Sequence, residues 1–421
     1  MIGLADCNNF YPACELVFQP HLEGKPIVVL SNNDGCVIAR SNEAKLLQIA
    51  MGAPYFKIEP YVKQEGIAVF SSNYALYGDL SHRVMQVLSG FAPRIEVYSI
   101  DECFLDFTGL PQDLTEYGLQ MCKTVKQWTG IPISIGIAPT KTLAKLANRL
   151  AKKGHSANGQ VLDWRTVADP EVLLATVALD DLWGISRRTA VKLQKLGIHN
   201  ALDLSQADPK RLRQHLGVVM ERIVCELQGV SCIPLEAMPS PRKQILTSRS
   251  FGEKLTRFED LRAAVSHFAS RSAEKLRRQQ LATSVLTVFV ATSPFDTKNP
   301  PYSNSATTVF DQPTDNAADL IQAAHLGLKR IYKPGFSYQR AGVILPDLLP
   351  AGTRQGSLFD EEDNNGQASQ LMATLDQINR RYGKSTVRYA SELLSHRWHM
   401  RQQFKSPSYT TRWAELLTIN I

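Results

Sequence analysis

The sequence predicts an α+β multidomain chain, and three observations carry that expectation. Two strand-forming stretches hold carboxylates: residues 2–5 run into Asp6, and residues 97–107, V-Y-S-I-D-E-C-F-L-D-F, enclose Asp101 and Glu102. Residues 164–235 read as short helices only, whereas residues 244–347 read β-α-β-β-α-β. At 421 residues the chain exceeds one compact core, and ~100–200 residues per domain implies three or four units.

Side chains alternate across a strand, so Asp101 and Glu102 can face one cation together only where the backbone turns. The expectation is a β-hairpin with the acidic pair at its tip. Asp6, at the end of the first strand, supplies a third carboxylate to the same sheet edge. Three carboxylates gathered there repel unless a divalent cation sits among them, and hard oxygen ligands suit magnesium or manganese. That pattern points to phosphoryl transfer with two metals.

Residues 10–18, F-Y-P-A-C-E-L-V-F, form a helix start with Pro12 in the first turn, where a missing N–H costs little. Phe10 and Tyr11 then stand at a helix entrance beside Asp6, where backbone N–H groups favour phosphate oxygens. A strand at 26–30, the turn S-N-N-D-G and a strand at 36–39 follow. The helix start R-S-N-E-A-K brings Arg40 and Lys45 together, and cations at a helix head suggest an anionic ligand because they oppose the dipole. Residues 11–74 look like a small α/β insertion between two parts of one sheet.

Helical spacing resumes at 74–91 and at 115–129, on either side of the acidic hairpin. The buried strand I-P-I-S-I-G-I-A then delivers a helix with Lys141, Lys145, Arg149 and Lys152 on one face. Because this helix follows a strand of the acid-bearing sheet, its stripe is expected to bind phosphate rather than only to face solvent. Within 164–235, L-D-D-L-W-G-I-S-R-R resembles a helix-hairpin-helix, whose turn offers N–H groups to a DNA phosphate. Gly184 is the first glycine of that turn; Ser186 replaces the second and is expected to tolerate unusual backbone angles less well. Arg187 and Arg188 add positive charge.

The segment 236–243, E-A-M-P-S-P-R-K, reads as a linker. In 244–347 basic residues outnumber acidic ones, and Arg249, Lys254 and Arg277 are expected to meet a duplex backbone. The tail 348–421 contains T-R-Q-G-S-L-F-D-E-E-D-N-N-G, in which Leu358 and Phe359 are suited to a partner's groove. A helix over 371–378 and the aromatic residues Trp398, Tyr409 and Trp413 complete it.

The net charge of +7 favours an acidic partner such as nucleic acid. Seven cysteines without a C-x-x-C pair or zinc spacing read as reduced thiols. Asp6 interrupts any signal-peptide core, and no apolar run approaches the ~20 residues that span a bilayer. The expectation is a cytoplasmic protein with no membrane partner.

Taken together, D-C-N-N-F-Y-P-A-C-E, V-L-S-N-N-D-G-C-V-I-A-R, M-G-A-P-Y-F-K, F-S-S-N-Y-A-L-Y, Y-S-I-D-E, G-I-A-P-T-K-T-L-A-K-L-A-N, W-G-I-S-R-R and S-R-S-F-G resemble the Y-family translesion DNA polymerases, in particular the UmuC-type branch that forms bacterial DNA polymerase V. The resemblance implies a right-hand polymerase: palm at 1–10 and 75–163, fingers at 11–74, helix-hairpin-helix thumb at 164–235, linker at 236–243, βαββαβ little finger at 244–347, and tail at 348–421. It implies error-prone synthesis past lesions in the SOS response. Asp6, Asp101 and Glu102, with the Cys7 carbonyl, would hold two Mg²⁺ ions, for which Mn²⁺ can substitute; Phe10, Tyr11, Lys45 and Lys152 would hold the dNTP.

By the same resemblance Tyr11 is the steric gate that excludes a 2′-OH, and Gln355, Leu358 and Phe359 form a sliding-clamp motif in which Gly356 replaces the usual leucine. Asn42 and Lys45 stand where many relatives have tyrosine and arginine, so the phosphate grip there should be less bidentate. Implied partners are primer-template DNA including damaged DNA, a UmuD′-type accessory dimer, a RecA filament and the clamp. Two other readings stay open on sequence: a DNA- and clamp-binding subunit with a relic polymerase site, and another two-metal palm enzyme such as a cyclase.

Overall fold

A computed structural model describes residues 1–110, 113–156, 158–236, 242–296, 300–352, 365–393, 395 and 397–417. The chain forms two compact units. The first comprises Met1–Ser31, Gly35–Pro239 and Phe404–Ile421; the second comprises Asn32–Asp34 and Ser240–Gln403. The tail 348–421, read from sequence as one segment, is therefore divided between the units at residue 404.

In chain order the first unit begins with β1 (Ile2–Cys7), α1 (Phe10–Phe18), β2 (Ile27–Leu30), β3 (Val37–Arg40), α2 (Asn42–Leu46), α3 (Tyr55–Gln64), β4 (Ala68–Ser71) and α4 (Tyr74–Ser89). It continues with β5 (Ile95–Val97), β6 (Glu102–Asp106), α5 (Leu114–Thr129), β7 (Ile133–Ala138), α6 (Lys141–Lys152) and β8 (Val161–Asp163). Five strands make one sheet in the order β5-β6-β1-β7-β8, and β3-β2-β4 make a smaller one. Strand β1 is central and pairs antiparallel with both β6 and β7.

Alternation along β1 sends Ala5 and Cys7 into one core with α4 and α5, and Ile2 and Leu4 into another with α6. The large sheet is thus buried on both faces. Gly136 of β7 lets α6 approach, since a Cβ there would meet the backbone at Asn148 and Ala144. Short helices α7 (Pro170–Ala175), α8 (Arg187–Gln194), α9 (Ala201–Gln206), α10 (Pro209–Leu216) and α11 (Val218–Leu227) extend the second of these cores.

The second unit contains β9 (Gln244–Leu255), α12 (Phe258–Arg278), β10 (Leu281–Thr292), β11 (Ser303–Thr314), α13 (Ala317–Ile331) and β12 (Tyr338–Pro346), which is the expected β-α-β-β-α-β order. Its sheet runs β11-β10-β12-β9, with β13 (Leu348–Pro350) paired to β10. Helix α14 (Asn365–Tyr382) is longer than the stretch read from sequence. Trp398 packs into this unit's core beside Phe268, whereas Tyr409 is buried in the core of the first. Trp413 is exposed. Among the described residues no helix is long and apolar enough to cross a membrane, and all seven cysteines are free thiols.

Candidate active site

Strand pairing decides where the carboxylates stand. β1 and β6 run antiparallel with Asp6 directly opposite Glu102. The hairpin between β5 and β6 is closed by Ser99, whose Oγ donates to Asp101 Oδ1 at 2.6 Å and accepts from the backbone N–H of Asp101 and Glu102 at 3.2 and 3.0 Å. The Cys7 N–H donates to the Asp101 carbonyl at 2.9 Å. One strand end and one hairpin tip therefore bring Asp6, Asp101 and Glu102 to one sheet edge.

The lysine stripe of α6 lies against this edge and beside it. Lys152 Nζ sits 2.7 Å from Asp6 and Lys145 Nζ 2.9 Å from both Glu102 oxygens. Arg149 pairs with Asp181, and Lys141 is fully buried against Glu96 and the Phe104 ring. The stripe is thus a ladder of ion pairs: Lys141, expected with the others to bind phosphate, is instead a buried partner of Glu96, whereas Lys145 and Lys152 border the carboxylates. Lys145 is further boxed by Tyr98 and Trp183, at 4.5 and 5.2 Å from the ring centres. The sequence placed Lys145 in the phosphate-facing stripe but not against Glu102, Tyr98 and Trp183, because periodicity reports a shared helix face and not what faces it.

Burial holds the Asp6 carboxyl up at about 6; the Lys152 ammonium opposes that rise, and the charges of Glu102 and Asp101 add to it. Among the described residues no three His, Cys, Asp or Glu side chains converge tightly enough to hold a metal ion as they stand. The donor chemistry nevertheless fits a hard divalent cation, which would replace the two ammonium groups as counter-charge to three neighbouring carboxylates. Asp6, Asp101, Glu102 and the Cys7 carbonyl are the groups able to hold it.

Next to the acids, α1 begins at Phe10 after Asn9, whose φ of +48° is left-handed. Its first-turn N–H groups at Phe10 and Tyr11 have no intrahelical acceptor. Lys45 Nζ donates to Asn9 Oδ1 at 2.6 Å and to Asn42 Oδ1 at 3.1 Å. Burial, then the charges of Arg40 and Lys152, lower the Lys45 pKa. Helix start, Lys45 and Lys152 thus form a cationic border to the carboxylates. Asn9 was missed on sequence; its place before a helix in C-N-N-F was the available signal.

Phe10 is buried in the core, so only its backbone faces the site. Tyr11 is half-buried, stacked on Tyr77 with centroids 4.5 Å apart and planes 16° apart, and edge-on to Tyr74 at 6.2 Å. Burial pushes the Tyr11 phenol up to about 12, so the ring is neutral. A cavity of about 260 Å³ lies between Asp6, Glu102, Lys145, Lys152, Asp181 and Trp183.

The turn before α8 carries Gly184 at φ +85°, which a side chain would strain. Ser186, in contrast, has an extended φ of −81° and caps α8, its Oγ accepting from the Thr189 N–H at 3.2 Å. The expectation that serine weakens this turn is corrected: the position needs a cap and not a glycine. Arg187 and Arg188 are exposed.

In the second unit the three expected DNA contacts fare differently. Arg249 shares the helix-facing side of β9 with buried Ile245 and Phe251, and stands in the field of Arg271. Arg271 and Arg242 also act on Lys275, so these four residues form a basic cluster along β9 and α12. Lys254 is held by Asp296 at 2.6 Å. Arg277 grips Asp376 of α14 at 2.7 and 2.8 Å and donates to the Asp315 carbonyl at 2.7 Å. Its donors are spent inside the protein, which removes it from the set offered to DNA. Gln355, Leu358 and Phe359 lie outside the described residues.

Comparison with known proteins places the chain in a family. Residues 5–149 match the impB/mucB/samB family and residues 242–358 match the impB/mucB/samB family C-terminal domain. Residues 369–419 match a domain of unknown function. The chain is 45% identical to protein UmuC of Salmonella typhimurium over the whole length of both. It is 43% identical to protein ImpB of Salmonella typhimurium, covering 99% of each, and 26% identical to DNA polymerase IV 1 of Bacillus subtilis, covering 92% of each. In structure it is similar to a Y-family DNA polymerase chimera of Dbh and Dpo4, with a TM-score of 0.64 at 21% identity, covering 83% of this chain and 99% of that one. The insertion ternary complex of Dbh DNA polymerase is similar with a TM-score of 0.53.

Proposed function

The chain belongs to the impB/mucB/samB family of Y-family DNA polymerases, and from that membership we propose that it is an error-prone translesion polymerase of the SOS response, adding dNTPs to a primer 3′-OH opposite lesions. It is a DNA-directed DNA polymerase. The observation that carries the finer reading is the pairing of Asp6 with Glu102 across β1 and β6, with Asp101 beside them and Lys45, Lys152 and Tyr11 on the same border.

On this reading residues 1–10 and 75–163 are the palm, 11–74 the fingers, 164–235 the thumb, 244–347 the little finger, and 348–421 a tail that carries partner contacts. Asp6, Asp101 and Glu102, with the Cys7 carbonyl, hold two Mg²⁺ ions or Mn²⁺ in their place. When bound, these ions supply a lowered pKa at the primer 3′-OH and counter-charge for the triphosphate and departing pyrophosphate. Lys152 and Lys145, released from Asp6 and Glu102, remain as cations at the border. Lys45, Lys152 and the N–H groups of Phe10 and Tyr11 bind the triphosphate, and the Tyr11 ring lies beneath the sugar as the steric gate.

The Gly184 turn with Arg187 and Arg188 takes template-primer phosphates, and Arg249 and Lys254 hold the duplex backbone. Gln355, Leu358 and Phe359 dock on the sliding clamp. A UmuD′-type dimer and a RecA filament complete the active assembly, which works in the cytoplasm.

Primer extension across an abasic template, with Mg²⁺, dNTPs, the accessory dimer and a RecA filament, tests the reading. Asp101→Ala removes transition-state charge compensation that metals make worth several kcal/mol, so insertion falls by about a thousandfold or more. Undiminished extension by that variant rejects the site. Tyr11→Ala raises ribonucleotide over deoxyribonucleotide insertion by about tenfold or more; an unmoved ratio removes the steric gate from Tyr11.

A further inference from the structure

Residues 404–409, more than three hundred positions along the chain from the strands and helices they touch, are built into the first unit beside the floor of the Tyr11 ring. The Ser71 N–H donates to the Phe404 carbonyl and the Phe404 N–H to Ser71 Oγ, both at 3.0 Å, extending the edge of β4. Asn73, which caps α4 through Leu76 N–H, turns its amide to the Ser406 carbonyl at 3.0 Å, Ser406 Oγ at 3.1 Å and the Pro407 carbonyl at 3.2 Å. Tyr409 stacks on Phe18 at the far end of α1, with centroids 4.7 Å apart and planes 14° apart.

The segment reaches the ring through one buried carboxylate. Glu15, fully buried on α1, accepts at Oε1 from Ser406 Oγ at 2.9 Å and from the Tyr77 hydroxyl at 2.7 Å. Its Oε2 has no partner among the described residues. Tyr77 is itself fully buried, and its ring is the one on which Tyr11 stacks. Hydrogen bonds to a buried carboxylate are strong and directional, so both donors fix the rotation of this side chain. Without the Ser406 donor only the Tyr77 hydroxyl holds the carboxylate, whose rotation is then unrestrained, and the hydroxyl and ring lose their fixed anchor.

We propose that the C-terminal segment 404–409 sets sugar selectivity: Ser406, Glu15 and Tyr77 are positioning residues that hold the Tyr11 ring at the height where a 2′-OH is excluded. The inference rests on Tyr11 being the steric gate. Excluding one hydroxyl is a matter of sub-ångström placement, and an error of 1 Å in a reacting assembly costs about a hundredfold. A partner that grips and withdraws this segment relaxes the same discrimination.

The test is steady-state single-nucleotide insertion on undamaged primer-template, with Mg²⁺, the accessory dimer and the RecA filament present, comparing kcat/KM for dATP and ATP. It uses wild type, Ser406→Ala, Tyr77→Phe, Tyr11→Ala and the Ser406→Ala/Tyr11→Ala double variant, each shown by thermal unfolding to be folded at the assay temperature. Tyr77→Phe keeps the ring stack and removes only the hydroxyl, so it serves should Ser406→Ala fail to fold. Both single changes raise the ATP to dATP ratio about three- to tenfold while dATP insertion stays within about twofold. In the Tyr11→Ala background Ser406→Ala adds nothing further. An unmoved ratio in both single variants overturns the inference, and so does an equal increment with and without Tyr11, which marks general loosening. Failure of wild type to insert dATP, whatever the variants do, instead removes the polymerase reading and this inference with it.

Discussion

The two principal sheets of this protein are covered differently, and the difference explains where each can do chemistry. In the first unit β7 is buried at all six positions and β1 at every position but Asp6, because separate cores press on both faces. Such a sheet has no face to offer; the carboxylates proposed to act, Asp6, Asp101 and Glu102, stand at a strand end and in the hairpin. In the second unit α12 and α13 pack on one face only. β10 alternates, with Leu286, Val288 and Val290 buried, while Thr287 and Phe289 on the other face are partly exposed. A sheet of this kind presents a surface, suited to a long polymer rather than to a reacting atom.

The sharpest way to break that contrast is to alter both sheets by one methyl group's worth of change. Gly136→Ala drives a Cβ into the backbone of α6 at Asn148 and Ala144, where no flexible side chain can give way. The expected loss is about 3 kcal/mol, read as a lowered midpoint in urea unfolding. Val309→Thr on β11 changes a side chain that is 71% exposed, and its effect stays within about 0.5 kcal/mol. Similar losses at the two positions would mean that α6 relaxes freely and that the first sheet is not clamped from both sides.

This distinction also governs what sequence alone could show. The acidic hairpin was legible because two carboxylates inside an apolar strand run break a local pattern, and β9 to β12 were legible as the strands of a β-α-β-β-α-β run. The partners of the lysine stripe were not: Lys141 and Lys152 have the same spacing signature, yet one is buried against Glu96 and the other stands at the site border against Asp6. Arg277 has the sequence signature of any basic residue of its unit, and only the fold sets it against Asp376, 99 positions away. The link from Ser406 to Glu15 spans 391 positions and no local rule bears on it. Local signals report propensity and face; they do not report which distant segment closes on that face.

A buried charge in the doubly covered unit should register as pH dependence. Burial raises the Glu15 carboxyl from 4.5 to about 6, against the opposing hydrogen bonds from Tyr77 and Ser406. The folded state thus prefers the protonated form more than the unfolded chain does. Stability from this group is complete below pH 4.5 and is lost as pH rises through about 6, a fall of about 2 kcal/mol. Glu15→Gln, measured by unfolding at pH 4.5 and pH 7, should lack that fall relative to wild type. A difference between the two proteins that is flat across this range would place the cost of the carboxylate elsewhere.

On the singly covered sheet the smaller effect is electrostatic and should follow salt. Arg249, on the helix-facing side of β9, stands with Arg271 and Lys275 of α12 and Arg242 just before the strand, whereas Arg340 lies on the open face, over the Phe289 ring and bonded to Ser248. Removing a cation that neutralises one DNA phosphate reduces the slope of log K against log salt by about 1. Arg249→Ala should show that reduction in duplex-binding titrations at several salt concentrations, with a few-fold loss of affinity, while Arg340→Ala leaves the slope unchanged. The reverse outcome would put the duplex backbone across the open face instead of along the basic edge of β9 and α12. The sheet's bare face would then be the phosphate-binding surface, and the cluster around Arg271 would be left as charge held apart by its own packing.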